Sequence, residues 1–300
     1  MRIVIAGGTG FIGAALTGSL RAAGHDVVVL TRQSGALPQG LASWSPDGTT
    51  GAWARALDGA DAVINLAGAP LDEKRWTESR KRVLAESRIL ATRSLAVAIS
   101  EAVPPPAVFL SSSAVGYYGP RAEEPVTESD SAGSDFLARL VVRWEDEATA
   151  AAANGTRVVL LRSGIVLAPD GGVLARMLLP FRLGVGGPFG DGRQYMSWIH
   201  RHDWIGLARW LLTRDDARGP INATAPAPET NAAFAATLAR VLQRPHFLRA
   251  PAFALRLALG EMADAALLTG QRVVPARSQA LGFRFQWPAL EPALRDLLRL

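Results

Sequence analysis

Short apolar runs of strand type alternate along this chain with longer stretches in which apolar residues recur at helical spacing. Arg2–Ala6 is the first run, four apolar residues in succession after Arg2. Phe11, Ile12, Leu16 and Leu20 then fall on or near one helical face, and Gly24 stops the pattern before a second strand at Asp26–Thr31. The same reading predicts strands at 61–65, 107–110, 156–161 and 220–223. It predicts helices at about 53–57, 76–102, 136–154, 173–179, 202–213 and 227–242. Val83, Leu90, Leu95 and Ile99 are the expected buried side of the long helix from 76, and Asp203 is expected to cap or anchor the first turn of its helix. Strands alternating with helices in this way build a parallel sheet with helices packed on it.

After Pro245 the pattern breaks into small pieces. Two short helices at 251–259 and 261–268 precede a stretch of strand character at 271–277, an alternating segment at 281–285 and an amphipathic helix at 288–298. The expected organisation is therefore a large α/β portion over residues 1–244, with its cofactor half ending near 160. A small α+β appendage follows over 245–300. Within the large portion, the glycine-rich loop at 184–192 reads as a substrate wall or a lid.

The first turn carries the clearest chemistry. It reads Gly7-Gly8-Thr9-Gly10-Phe11-Ile12-Gly13. Gly7 suits the tight turn out of the strand, Gly10 lets backbone approach a pyrophosphate, and Gly13 allows close packing of helix on strand. The free N–H groups and positive end of the helix then face phosphate, which places Phe11 and Ile12 in the same cradle. This spacing is GxxGxxG rather than GxGxxG; the flanking strand, helix and second strand make it a dinucleotide site. At the end of the second strand stand Thr31 and Arg32 where an NAD site has an acid. A planar guanidinium pairs with a 2′-phosphate, so the expected cofactor is NADP(H).

Other candidate residues cluster at later strand ends. The loop from Asn65 contains Leu66, Ala67 and Gly68, expected beside the adenosine and pyrophosphate half of the cofactor. The strand at 107–110 runs into Ser111-Ser112-Ser113, where a nicotinamide is expected to lie, and then into Tyr117 and Tyr118. Glu145 follows Trp144 on the next helix and either points into the cleft or joins a cap network. Lys74, Arg75 and Arg80 open the helix from 76; they are either solvated or hold an anionic part of a substrate.

Composition narrows the classes. The 300 residues are 49% hydrophobic, enough for a substantial core. Without cysteine, disulfide and thiolate chemistry are excluded. The four histidines, at 25, 200, 202 and 246, form no zinc motif, so no metal is expected. A net charge of +5 raises nucleic acid as a partner, but no nucleic-acid-binding signature accompanies it, and none is expected. The apolar runs are short and broken, and the chain opens on a strand rather than a leader. A cytoplasmic protein without membrane partners is the expectation.

With these segments in place, the chain resembles the extended and atypical short-chain dehydrogenase/reductases. Within them it resembles the epimerase-family proteins that carry a C-terminal domain of unknown function. The resemblance rests on GGTGFIG at 7–13, NLAG at 65–68, KRWTESRKR at 74–82, SSSAVGYYG at 111–119, SWIHRHD at 197–203 and GEMADAALLTGQRVVP at 260–275. It implies a Rossmann-type doubly wound sheet, NAD(P) at the strand ends and a catalytic role for Ser113. Members often dimerise through the helices that begin here near 76 and 136, so a homodimer is implied. The usual Tyr-x-x-x-Lys pair is missing: Phe136 and Leu140 occupy those places. Three explanations follow. Tyr117 or Tyr118 supplies the proton; or the reaction needs little beyond hydride transfer; or the protein binds NADP(H) as a sensor or scaffold without turnover. The expected function is an NADP(H)-dependent oxidoreductase or epimerase-like activity on a small molecule, either anionic or uncharged, with the sensor as the alternative.

Overall fold

A computed structural model describes residues 1–300. Seven parallel strands form the central sheet: β1 (Arg2–Ala6), β2 (Asp26–Thr31), β3 (Leu41–Ser43), β4 (Ala62–Asn65), β5 (Val108–Ala114), β6 (Arg157–Ser163) and β7 (Gly219–Ala223). Their spatial order is β7-β6-β5-β4-β1-β2-β3, so the direction of winding reverses at β1. In register, Ile3 stands opposite Val27 on one side and Ala62 on the other. Ligands of such sheets bind beyond the carboxyl ends of the strands at that switch point.

Strand alternation divides the core. Ile3 and Ile5 point to one face, where α1 (Phe11–Ala22) contributes Leu16 and Leu20; Trp204 and Leu207 come from the later helix at 201–212. Val4 and Ala6 point to the other face, under α2 (Glu78–Glu101) and α3 (Phe136–Thr149). Both faces are covered, which is why the central strands read as continuous apolar runs. A third core joins α4 (Gly172–Arg182), α6 (Asn231–Leu242) and α10 (Leu290–Leu298) around Phe181, Trp198 and Phe234. α5 (Arg201–Leu212) buries Trp204, Leu207, Leu211 and Leu212 in the first of these cores.

The C-terminal appendage is mostly helical: α7 (Ala252–Leu259), α8 (Glu261–Ala266), α9 (Ala276–Ala280) and α10. Its strand content is Arg272–Val273, which pairs in parallel with Pro125–Val126. The alternating segment at 281–285 is irregular; Phe283 and Phe285 meet edge to face, and Phe283 also packs on Trp210. No helix is long and apolar enough to cross a membrane.

Three local expectations are corrected. Val83 is 45% exposed, and Leu84 takes the buried place on α2 with Leu95 and Ile99. Leu84 packs with Trp76 and Met262, and Ile89 rather than Leu90 is buried, while Leu95 and Ile99 are buried as expected. Asp203 caps nothing in α5. His200 does, its Nδ1 accepting from the His202 N–H at 3.0 Å. Asp203 is buried and accepts from the backbone N–H groups of Gln286 and Trp287, both at 2.9 Å, fastening the C-terminal segment. The edge strand β3 is absent from the strands that the apolar pattern predicts.

Candidate cofactor cleft and polar network

β1 ends at Ala6 and the chain turns at Gly7, whose φ is +78°. A side chain there would meet the Leu66 carbonyl carbon and oxygen at 2.6 Å. At Gly13 an added Cβ would lie 2.1 Å from the Gly7 oxygen. The glycines are thus required by packing of α1 on the turn and of the turn on the loop after β4. Gly10 differs. Its added Cβ would find the Gly7 oxygen at an ordinary 3.4 Å, and its φ is −76°. Gly10 is exposed, so its missing side chain leaves open space above the turn.

α1 begins at that space. No side chain caps its N-terminus, and no acid sits in its first turn. Its leading N–H groups and positive dipole end are left for an anion. Phe11 is half-buried, covered by the turn at Gly171 and Gly172, where added side chains would meet its ring at 2.5 and 3.2 Å. Ile12 is half-buried beside it. These observations fit a pyrophosphate group.

The loop after β4 lies against this turn. The Leu66 N–H donates to the Ala6 carbonyl at 2.8 Å. Asn65 is fully buried and fixes the loop: its Oδ1 accepts from the Ala67 N–H at 3.1 Å, and its Nδ2 donates to Thr92 on α2 at 2.7 Å. Thr92 in turn accepts from the Trp144 indole at 2.8 Å. Gly68 leaves room for the Arg88 side chain, which donates to the Ala69 and Leu84 carbonyls at 3.0 Å. Burial, with Arg80 nearby, lowers the Arg88 guanidinium to about 10. Thr31 closes β2, its hydroxyl accepting from the Gln33 N–H at 3.2 Å, and Arg32 is exposed next to it. The predicted cofactor residues therefore gather at the carboxyl ends of β1, β2 and β4, with Ser111 and Ser112 toward the same end of neighbouring β5.

A buried polar network occupies the ends of β5, β6 and β7. Arg162 of β6 forms a bidentate pair with Glu145 of α3, at 2.8 and 2.7 Å, with both side chains at least nine-tenths buried. Ser113 donates to the same carboxylate at 2.5 Å. Arg162 also donates to the Tyr118 hydroxyl at 3.0 Å, and Tyr118 donates to Asn222 Oδ1 at 2.7 Å. Burial opposes the charge on Arg162, but Glu145 and Tyr118 outweigh it and raise its pKa. Glu128, buried in the segment between β5 and α3, accepts from the Asn222 N–H at 2.9 Å and from the Arg277 N–H. Sequence reasoning marked Glu145 but missed Glu128 and Asn222.

The two tyrosines separate. Tyr118 is fully buried, both functions of its hydroxyl are taken, and burial pushes it up to about 12. It does not face the cleft, which corrects its place among the proton donors. Tyr117 is partly exposed, and its ring lies under the Arg162 guanidinium, 3.4 Å from carbon to centroid. Ser113 is 2% exposed, Ser111 is buried and Ser112 is half-buried.

The places of the usual Tyr and Lys serve packing. Phe136 meets Trp76 edge to face at 5.5 Å, in a cluster with Leu84 and Met262 of the appendage, and Leu140 is buried. The appendage also braces the loop after β5. Gln271 donates to the Val115 carbonyl at 2.7 Å, Asn222 to the Val274 carbonyl at 3.0 Å, and Ser197 to the Gln271 carbonyl at 2.6 Å. Much of the basic cluster is spent internally: Arg80 on the Pro70 carbonyl and Glu73, Lys81 on Glu78 and Glu261. Lys74 and Arg75 are exposed. No group of three or more acids and histidines is placed to hold a metal.

Residues 3–223 match the NAD dependent epimerase/dehydratase family, and residues 250–297 match a domain of unknown function, DUF1731. The epimerase family protein SDR39U1 of Mus musculus is 41% identical over 99% of this chain and 100% of its own length. The crystal structure of human epimerase family protein SDR39U1 with NADPH superposes with a TM-score of 0.92 at 37% identity, covering 100% of this chain and 99% of that one. A nucleoside-diphosphate sugar epimerase from Corynebacterium glutamicum gives 0.80 at 32% identity, covering 99% of this chain and 58% of that one. By these matches over most of its length, the chain belongs to the NAD dependent epimerase/dehydratase family.

Proposed function

We propose that the chain is an NADP(H)-dependent oxidoreductase or epimerase-like enzyme acting on a small molecule. One observation carries the reading: the uncapped α1 terminus and its glycine cradle open on the same sheet edge as the Ser113–Glu145–Arg162 network. NADPH in the human relative supports the choice of cofactor. Thr31 and Arg32 would hold the 2′-phosphate, Gly7, Gly10, Phe11, Ile12 and Gly13 the pyrophosphate, and Leu66, Ala67 and Gly68 the adenosine side. Ser111 and Ser112 would line the nicotinamide side. The cofactor supplies hydride when bound.

The protein's own polar groups then have distinct tasks. Glu145 accepts the Ser113 proton in a hydrogen bond, which leaves the serine oxygen only lone pairs to offer and would make it an acceptor for a hydroxyl beside the carbonyl of a hydroxy-carbonyl substrate. Tyr117 is the tyrosine left with access to the cleft. Lys74 and Arg75 are the exposed cations nearest in sequence to the cleft loop and would meet an anionic substrate group. The reading is tested by single-turnover oxidation of NADPH with a panel of hydroxy-carbonyl compounds. Turnover that falls at least tenfold in Ser113→Ala and Tyr117→Phe, with NADPH affinity unchanged, supports it. A specific observation favours a second reading, a non-catalytic NADP(H) sensor: Phe136 and Leu140 are committed to apolar packing. Tight NADPH binding with no oxidation by any member of the panel selects that reading.

A further inference from the structure

Helix α7 has the sequence AFALRLAL. Seven of its eight residues are apolar, and none is buried. An apolar helix in a folded protein normally hides its surface; Phe253 and Leu257, one turn apart, are instead 72% and 75% exposed. The segment before it exposes Phe247 at 78%. Alongside runs the end of α4 and its following loop, with Leu179, Leu183 and Val185 exposed. The two segments are joined: the Gly190 N–H donates to the Ala250 carbonyl at 2.9 Å, and the Ala250 N–H to the Pro188 carbonyl at 3.0 Å. Seven of the chain's eleven exposed large hydrophobic residues fall within 179–185 and 247–257. Scattered apolar residues on a surface need no cause, but such a concentration does.

Charge decides what covers it. Neither 171–190 nor 230–260 contains an acid. Arg176, Arg240 and Arg256 are paired with Asp72, Glu291 and Asp264. Arg182, Arg244 and Arg249 are exposed and make no ion pair. The unpaired charges of this face are thus all positive, so a second copy placed isologously would bring one cationic face against another. An anionic bilayer surface complements both features, apolar side chains entering the acyl boundary and guanidinium groups meeting the headgroups. From this juxtaposition we propose that the face formed by α7, the segment before it and the end of α4 docks on anionic lipid surfaces. The protein lies on the membrane without spanning it, in keeping with its helix lengths.

The test is co-sedimentation of the full chain with vesicles of phosphatidylcholine alone or mixed with phosphatidylglycerol. The protein is expected to pellet with the mixed vesicles at low salt, to be released as salt rises, and to stay in solution with phosphatidylcholine. Each arginine near an anionic surface is worth roughly fivefold in partitioning, so Arg182→Glu, Arg244→Glu and Arg249→Glu together lower binding by at least on the order of a hundredfold. Phe253→Ser with Leu257→Ser removes binding while leaving the thermal midpoint unchanged, since both residues are exposed. The proposal is overturned if the wild type ignores the mixed vesicles, binds both compositions equally, or keeps its binding in these variants. It is also overturned if light scattering shows a dimer that Phe253→Ser with Leu257→Ser dissolves and no vesicle binding occurs, which assigns the face to a second copy.

Discussion

Replacing Glu145 with glutamine isolates the buried network from the rest of the fold. The variant keeps the shape of the side chain but removes the charge that neutralises Arg162, whose side chain is 3% exposed. Two guanidinium hydrogen bonds, at 2.8 and 2.7 Å, and the one from Ser113 at 2.5 Å converge on that carboxylate. The amide can accept on one atom only and presents N–H donors to other donors. Removing one partner of a buried ion pair costs about 3–5 kcal/mol, since the remaining charge is stranded. With an unfolding entropy of about 2.1 cal/mol/K per residue over 300 residues, the thermal midpoint should fall by roughly 5–8 °C. A double-mutant cycle in urea with Arg162→Met measures the pair directly. The double variant should cost clearly less than the two singles combined, because it strands no charge. A cost below about 1 kcal/mol for Glu145→Gln, or additive single costs, would refute the reading of this network as a tightly coupled unit.

Further outcomes follow from the geometry. Gly7→Ala and Gly13→Ala should both destabilise the fold and abolish cofactor binding, because the added carbon meets backbone at 2.6 and 2.1 Å. Gly10→Ala should leave the thermal midpoint within about 1 °C yet weaken NADPH, and an unchanged NADPH affinity would remove Gly10 from the phosphate cradle. Asp203→Asn should cost about 2–3 kcal/mol in urea denaturation, through loosened hold on Gln286 and Trp287, and no measurable loss would contradict that anchoring role. Burial holds the His200 imidazole below its ordinary value, against the pull of Asp296 and Asp203. The neutral form is the folded one, so its contribution is complete above about pH 6.5 and is lost as pH falls toward the lower folded value. His200→Asn, which keeps an acceptor for the His202 N–H, should flatten this acid slope in denaturation midpoints, and an unaltered slope would assign it to other groups.

The cofactor half of the molecule was legible because its signals are local. Gly7 and Gly13 lie within one turn and are required by close backbone packing there, so spacing alone reports the turn. Arg32 stands one residue beyond a strand whose bounds are set by its own apolar run. The polar network was less legible because its members meet only across the sheet. Glu145 and Arg162 lie on a helix and a strand, and Glu128 and Asn222 are 94 residues apart. Tyr117 and Tyr118 are adjacent in sequence, and only the 3₁₀ turn at Val115–Tyr118 decides which is sealed and which stays near the cleft. The apolar pattern of α7 predicted a helix but not its exposure, since periodicity gives a helical face and not the presence of a neighbour to cover it.

The central claim is that this cleft takes NADP(H), with Arg32 as the 2′-phosphate contact. It is tested most directly by equilibrium titration of cofactor-free protein with NADPH and NADH side by side, repeated with Arg32→Ser. One charge-assisted pair is worth about 1.5–3 kcal/mol, or roughly 10–150-fold in affinity. The account predicts NADPH at least about tenfold tighter than NADH, with the gap closing in Arg32→Ser while NADH affinity holds. Equal affinities in the wild type would contradict the role of Arg32, and binding of neither nucleotide would contradict the cleft as a cofactor site.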